Sequence, residues 1–444
     1  MTRYLGQEGF GYYSTIVAYL LFWGILVDFG LTLANVQMIS DPKYDFHKVI
    51  NNIMSFRFFL SLGFLILAPI LIWAFPYPAV IKWGVLLTVM AYVCTTFIQT
   101  MTGIFQQQLQ MFKVVVAEVS GKVAMIALII IFVLMHKSIY WILASISVEG
   151  IVALLILFIL SRGIVRWQWE VDWTMWKEIF KRTWPIALSI SFNLIYLKMD
   201  TIILSLTRSA NEVGLYGATY RIVDILTMLP AVFMGIVLPI MTKYYAENNF
   251  KDLSATIQRA FDALMIFAVP IVVGAMLVGR PLMAFIGGNG FIVSGDILKV
   301  LIIASGAIFA TSLFGYAVVG LGQQKKMMWG YLTTAIITFI GYLIFIPKFG
   351  YWGAAWMTVF SEVLVMAWSA IIVYKTIKFL PSMKSFLRVI PATIVMALVI
   401  TLVGSWSVVW VILVAVVAYF LVLYLVGGIK RQFVLDLIKI NRQE

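Results

Sequence analysis

The side chains able to do chemistry in this sequence are few, and most of them interrupt long apolar runs. Asp28 and Asp224 fall near the middle of such runs, Lys198 and Asp200 in the outer half of another, and Arg57 in a third, while Arg221 stands three residues before Asp224. An ionised group near a bilayer centre costs at least about 2.5–3.5 kcal/mol on insertion scales, so each of these should face a partner or a wet cavity. Arg221 and Asp224 share a helix face and could simply neutralise each other, whereas Lys198 and Asp200, two apart, cannot, so at least one of them needs a partner elsewhere. Glu149 and Glu362 stand at corresponding points of two runs, where they could bond a neighbouring helix or carry a proton. Glu118 and Lys122 have the i,i+4 spacing of an intrahelical ion pair.

Catalytic and metal-binding chemistry is poorly served. His47 and His136 lie near the ends of runs, and Cys94 is the only cysteine, so no disulfide, cysteine-based metal cluster or metal site is expected. No Gly-x-x-x-x-Gly-Lys phosphate loop occurs, which argues against direct use of ATP, and no cofactor is expected. The loop Ile286–Asp296 carries Gly287-Gly288-Asn289-Gly290 but no catalytic constellation.

The elements that must position these residues are membrane spans. Hydrophobic residues make up 63% of the 444 and charged ones only 11%, where a soluble domain has roughly 45–50% and about 25%. Apolar runs of about 20 residues, the length that crosses a bilayer, recur from Ser14–Ile39 through Val49–Ala74, Thr183–Leu206 and Glu212–Pro239 to Val408–Gly428, about thirteen in all. Continuous runs of that length predict helices, since barrel strands would be about ten residues of alternating polarity. Pro69, Pro185, Pro230 and Pro270 interrupt runs and are expected to kink them.

Charge then sets orientation. The net charge of +13 would point to nucleic acid in a soluble protein, but about two thirds of the 32 Lys and Arg fall in one alternate set of loops and the C-terminal tail. By the positive-inside rule that set is cytoplasmic, and no nucleic-acid partner is expected. An odd number of spans with a cytoplasmic C-terminus leads to the expectation that one further span precedes Met1.

Two halves echo one another. Glu8-Gly9-Phe10-Gly11-Tyr12-Tyr13 is matched by Glu212-Val213-Gly214-Leu215-Tyr216-Gly217, Gln106-Gln107-Gln108 by Gln323-Gln324, and Tyr140-Trp141 with Glu149 by Tyr351-Trp352 with Glu362, all about 210 residues apart. An offset of six spans gives parallel repeats, an established transporter plan with the path between the halves. The expected organisation is an N-terminal lobe over 1–161 with five spans, an amphipathic cytoplasmic linker over 162–182 bearing Trp167, Trp169, Trp173 and Trp176, a six-helix lobe over 183–374, and two extra helices with a tail over 375–444.

The stretch Arg3-Tyr4-Leu5-Gly6-Gln7-Glu8-Gly9-Phe10-Gly11-Tyr12-Tyr13-Ser14 with Asp28-Phe29-Gly30-Leu31 resembles the second helix and preceding loop of the O-antigen-type polysaccharide flippases, within the multidrug, oligosaccharidyl-lipid and polysaccharide exporter superfamily. Asp200-Thr201-Ile202-Ile203-Leu204, Glu212 to Arg221, and Leu238-Pro239 are similar to that family's seventh and eighth helices. The resemblance implies an all-α integral membrane protein of the cytoplasmic membrane, with two pseudo-symmetric six-helix lobes, the first lacking its first helix here, plus two C-terminal helices. It implies a transporter rather than an enzyme, flipping a polyprenyl-pyrophosphate-linked oligosaccharide by alternating access, with membrane lipids as surroundings and a polysaccharide polymerase and glycosyltransferases as partners. The runs holding Asp28, Lys198, Asp200, Arg221 and Asp224 would line the family's cavity. Cations suit a pyrophosphate because charge-assisted bonds to phosphate are short and strong, so Arg221, then Arg57 and Lys198, with Arg3 at the mouth, are the expected phosphate contacts. Asn193 could bond a sugar hydroxyl or merely a neighbouring helix. The alternatives are a drug or cation antiporter of the same superfamily, which calls for an acidic rather than a cationic cavity, and a membrane polysaccharide polymerase.

Overall fold

In hydrocarbon every backbone amide and carbonyl must be bonded within the protein, and a continuously apolar chain meets that demand by coiling into helices. The computed structural model describes residues 1–41 and 43–428. The helices are α1 (Thr2–Asp28), α2 (Leu31–Ile39), α3 (Phe46–Leu71), α4 (Ala79–Gln107), α5 (Met111–Leu134), α6 (Ile139–Ser161), α7 (Trp173–Thr207), α8 (Ala210–Ala246), α9 (Phe250–Gly287), α10 (Ile292–Gly320), α11 (Gln324–Phe349), α12 (Tyr351–Ile377), α13 (Lys384–Leu402) and α14 (Val408–Leu425). Among the described residues, eleven helices are long and apolar enough to cross a membrane. The helices α7 and α13, of 35 and 19 residues, stand outside that count. With them, and with α1 and α2 forming one interrupted span, the architecture agrees with the expected all-helical fold of about thirteen spans.

The chain forms two compact units, Arg3–Gly214 and the residues from Leu215 onward. In the first, α6 packs on α4 and α5, α3 on α4, and α2 on α3, α4 and α7. One core cluster gathers Ile16, Tyr19 and Leu20 of α1 with Ala68, Ile81, Val85 and Leu143. Another gathers Leu31 and Met38 of α2 with Ile50 and Ile53 of α3 and Trp176 and Ile179 of α7. In the second unit α10 packs on α9 and α12, α11 on α12, and α13 on α9 and α14. The neighbour pattern of α3 to α6 thus recurs in α9 to α12, as the sequence echoes imply.

Two features go beyond the sequence expectations. Pro69, Pro230 and Pro270 lie inside helices, and non-helical backbone occurs besides at Gly6 and at the Phe29–Gly30 pair, where φ is 44° and 75°. The segment expected as a separate linker, 162–182, is also divided. Only 162–172 is a loop; from Trp173 the chain is the start of α7, because Asp172 caps that helix by accepting from the amides of Thr174 (2.9 Å) and Met175 (3.3 Å). Trp176 and Ile179 then bury themselves against α2 and α3, which draws α7 into the first unit.

The loop is pinned to the start of α3. Asn51 donates to the carbonyl of Arg166 (3.1 Å) and accepts from the amide of Gln168 (3.3 Å), and Asn52 accepts from the amide of Asp172 (2.8 Å). Lys48 Nζ lies 2.7 Å from Asp172. That ammonium, with the Thr174 hydroxyl and the two capped amides, holds the Asp172 carboxyl well below the usual carboxylate range. A depressed carboxylate contributes stability above its ordinary range and loses it only as pH falls through the lowered value. Protection factors for amide hydrogen exchange over residues 166–176 should therefore stay high and unchanged from pH 7 to pH 5, and should be lower at both pH values in Asp172→Asn.

Close helix packing in the second unit rests on glycine. A Cβ on Gly295 would lie 2.5 Å from the backbone of Arg280, and one on Gly279 would lie 2.8 Å from the carbonyl oxygen of Gly295. Gly295→Ala should lower stability by about 1–3 kcal/mol through overpacking, read as a depressed Tm in detergent. Gly63→Ala, with nothing within 4 Å of the added carbon, should be neutral or slightly stabilising, since Ala is the better helix former.

Candidate functional site

The first unit builds a polar layer where the α1–α2 span is broken. Asp28 is the last residue of α1, and Phe29 and Gly30 follow it in the left-handed region. The break frees backbone donors at the start of α2, and Asp28 answers by accepting from the amide of Thr32 at 3.3 Å and from its hydroxyl. Arg57 reaches the same carboxylate from α3, with Nη2 2.7 Å from Asp28 Oδ1 and 3.2 Å from Thr32 Oγ1. Its Nη1 donates to Gln99 Oε1 at 3.2 Å and to the carbonyl of Thr96, both on α4. One helical turn along α2, Asn35 donates to the carbonyl of Thr100 at 2.8 Å. The guanidinium is 0% exposed, so in this state it binds four helical segments to one another and reaches no solvent.

This pairing joins two of the expected site residues, Asp28 and Arg57, across 29 positions of sequence. The other expected site residues fall elsewhere. Asp200, on α7, is buried and accepts from the amide and hydroxyl of Thr201 at 2.6 and 3.2 Å. Lys198 is half-buried on the same helix. The side chain of Asn193 lies outside the described residues. Glu149 on α6 is half-buried and within electrostatic reach of Lys122 and Glu118 of α5, at a level where a Cβ on Gly121 would meet the Glu149 carbonyl oxygen at 2.6 Å.

In the second unit α8 is anchored by its buried face. Tyr216 is fully buried, with its hydroxyl 3.3 Å from that of Thr358 on α12. Thr219 donates to the carbonyl of Ser294 (3.0 Å), and Ser294 donates to the carbonyl of Leu215 (2.9 Å). Arg221 is exposed and Asp224 half-buried on this helix. Arg221 heads a row of exposed side chains continued by Ile225, Met228, Val232 and Ile236 at helical spacing.

Glu362 is 3% exposed on α12. The Thr311 hydroxyl of α10 donates to its backbone carbonyl at 3.4 Å, Tyr331 of α11 lies within electrostatic reach, and the hydroxyls of Thr334 and Thr338 on α11 are buried without a hydrogen-bond partner among the described residues. The two echoed glutamates therefore sit in different surroundings: Glu149 half-buried within reach of a lysine, Glu362 almost fully buried with Tyr331 within reach.

Sequence reasoning passed over Gln99, Thr96 and Thr32, which complete the Arg57 layer. The available signal was a short polar series, Thr95-Thr96 and Gln99-Thr100, inside an otherwise apolar run. Among the described residues no group of three or more His, Cys, Asp and Glu could hold a metal ion.

Residues 1–245 match the family described as polysaccharide biosynthesis protein. The chain belongs to that family. A Shigella dysenteriae protein named "Putative O-antigen transporter" is 23% identical over 381 residues, covering 82% of this chain and 91% of the relative. Among solved structures, the lipid II flippase MurJ in an inward closed conformation aligns with a TM-score of 0.79 at 16% identity, covering 98% of this chain and 95% of MurJ. An inward-facing multidrug resistance MATE transporter of the MOP superfamily aligns at 0.69 and 13% identity, covering 85% and 95%. At such identities these likenesses show the fold, and they place this polysaccharide biosynthesis protein on the helical architecture that MurJ and the MATE transporters share.

Removing one partner of a buried ion pair leaves the other charge uncompensated, which costs roughly 3–5 kcal/mol. Arg57→Ala and Asp28→Asn should each lower Tm in detergent by an amount of that order. The pair substitution Asp28→Asn with Arg57→Met should fall well short of the sum, a non-additivity that a double-mutant cycle measures directly.

Proposed function

We propose that this protein flips a polyprenyl-pyrophosphate-linked oligosaccharide across the cytoplasmic membrane by alternating access, as a step in cell-surface polysaccharide biosynthesis. The observation that carries the reading is membership of the polysaccharide biosynthesis family over residues 1–245. The relative named as an O-antigen transporter, matched along most of its length, supports it further. The physical task is to move a polar, anionic headgroup through about 30 Å of hydrocarbon while the polyprenyl tail remains in lipid. Charged and polar side chains held within apolar helices are what such a task requires.

Arg221 is the first candidate for the pyrophosphate, being exposed on an anchored helix, with Lys198 the second and Arg3 a further one. Asp200, Asp224 and Asn193 are proposed to tune the charge and hydrogen bonding of the path. Arg57 and Asp28 are proposed to act through the helix break they secure rather than by touching the substrate in this state. Glu362, with Glu149, is the candidate for coupling to an ion gradient. The alternating loop charges support a cytoplasmic C-terminus, and a polysaccharide polymerase and glycosyltransferases are the expected functional neighbours.

The test is a flipping assay in reconstituted vesicles, with polyprenyl-diphosphate-linked oligosaccharide on one leaflet and a membrane-impermeant reagent that modifies exposed sugar on the other. The full chain should move the lipid-linked sugar, and Arg221→Ala combined with Lys198→Ala should slow it about tenfold or more, the scale of a lost charge-assisted contact. Unimpaired transport by that double variant would remove the phosphate-contact assignment. Proton-coupled uptake of organic cations with no movement of sugar would instead make the protein an antiporter.

A further inference from the structure

The loop 162–172 and the start of α7 present charge and aromatic rings in an arrangement that the transport reading does not use. Of the three acids in this stretch, Asp172 is tied to Lys48 and to the α7 amides. Glu178 accepts from the Tyr44 hydroxyl and lies 3.8 Å from Arg182; Glu170 is half-buried. The cations are disposed the other way. Arg162, Arg166, Lys177 and Lys181 are all exposed, and among the described residues none of the four has a carboxylate within ion-pair distance.

The same segment, with α3, carries an interlocked aromatic group. Phe58 and Phe59, on the outer face of α3, meet the Trp169 ring with centroids 5.1 and 6.0 Å away. Phe59 meets Trp176 at 5.5 Å, and Trp176 meets Trp173 at 5.2 Å. Trp169 and Trp173 remain 64% and 69% exposed. Tryptophans with one apolar face and a free ring N–H favour the headgroup layer of a bilayer, and a guanidinium or ammonium next to that layer binds lipid phosphate. The loop does not have to be ordered on binding, because Asn51 and Asn52 already fix its backbone to α3. A surface organised in advance loses less entropy when it takes a ligand.

We propose that this face is a binding site for acidic glycerophospholipid, with the phosphodiester on Arg162, Arg166, Lys177 and Lys181 and the glycerol and upper acyl chains against Phe58, Phe59, Trp169 and Trp173. Charge complementarity selects the occupant: Asp172 and Glu178 are already paired with protein cations, and four exposed cations without a carboxylate partner favour an anionic headgroup over a zwitterionic one. The aromatic shelf selects a lipid over a free phosphate. The site is separate from substrate transport and is measurable without it.

The experiment uses the full chain in a neutral maltoside detergent, titrated with bromine-labelled phosphatidylglycerol while tryptophan fluorescence is read. Saturable quenching is expected, and Trp169→Phe with Trp173→Phe should remove most of it, although thirteen of the fifteen tryptophans remain. Replacing the four cations by Gln should weaken half-saturation at least about tenfold, on the scale expected for cations beside an anionic headgroup. The same loss of charge at Lys325, Lys326, Lys375 and Lys378 should change it less than about twofold. Equal weakening in the two quadruple variants would overturn the site. So would equal quenching by brominated phosphatidylcholine, quenching that survives loss of Trp169 and Trp173, or displacement of the lipid by an equal concentration of inorganic pyrophosphate.

Discussion

The first unit depends on one buried ion pair placed at a break in a membrane-spanning helix. A left-handed residue other than glycine costs about 1–2 kcal/mol, and Phe29 occupies that region directly before Gly30. An interrupted helix in hydrocarbon also leaves amides that nothing in the lipid can bond. Asp28 meets both problems from one position, because its carboxylate caps α2 through Thr32 and receives Arg57. Burying the guanidinium is tolerable because its two Nη groups are bonded to Asp28, Thr32, Gln99 and the Thr96 carbonyl, although Nε is buried without a partner among the described residues. Polar residues on α2 and α4 that look out of place in apolar runs are thus required by a charge on α3.

This explains how much of the structure was legible beforehand. Span number and helical class follow from local composition, since about 20 apolar residues can satisfy a bilayer in only one way. The location of the break did not follow. Proline marks a lost hydrogen bond in the sequence, yet Pro69, Pro230 and Pro270 sit inside continuous helices, and the interruption lies at a Phe–Gly pair whose instability is repaired by residues far away in sequence. The Asp28–Arg57 partnership was equally hidden. Arg221 and Asp224 invite a pairing argument because they are three apart, whereas Arg57 and Asp28 belong to different helices and meet only after α2, α3 and α4 have packed.

The start of α7 shows the same principle on a polar segment. Tryptophans and charges over 162–182 read as one surface element, but Asp172 is a strong cap, and a cap divides such a stretch into loop before and helix after. Trp176 and Ile179 then go into the core with Leu31 and Met38, while Trp169 and Trp173 stay outside. Composition identified the layer this segment belongs to; the cap decided which residues turn inward.

The echoed halves carry the argument one step further. Repetition of helix packing from α3–α6 to α9–α12 does not extend to the charges, because Glu149 is half-buried within reach of Lys122 while Glu362 on α12 is almost fully buried. A duplicated fold whose charges had only to stabilise it would have no reason to treat the two positions differently. A protein that moved a charged headgroup, as proposed, would have one, since some of its charges would serve the fold while others met the ligand. Arg57 serves the fold, with its charge answered at 2.7 Å. Arg221 stands differently, because Tyr216 and Thr219 hold its helix from the buried face and its own side chain lies on the exposed one.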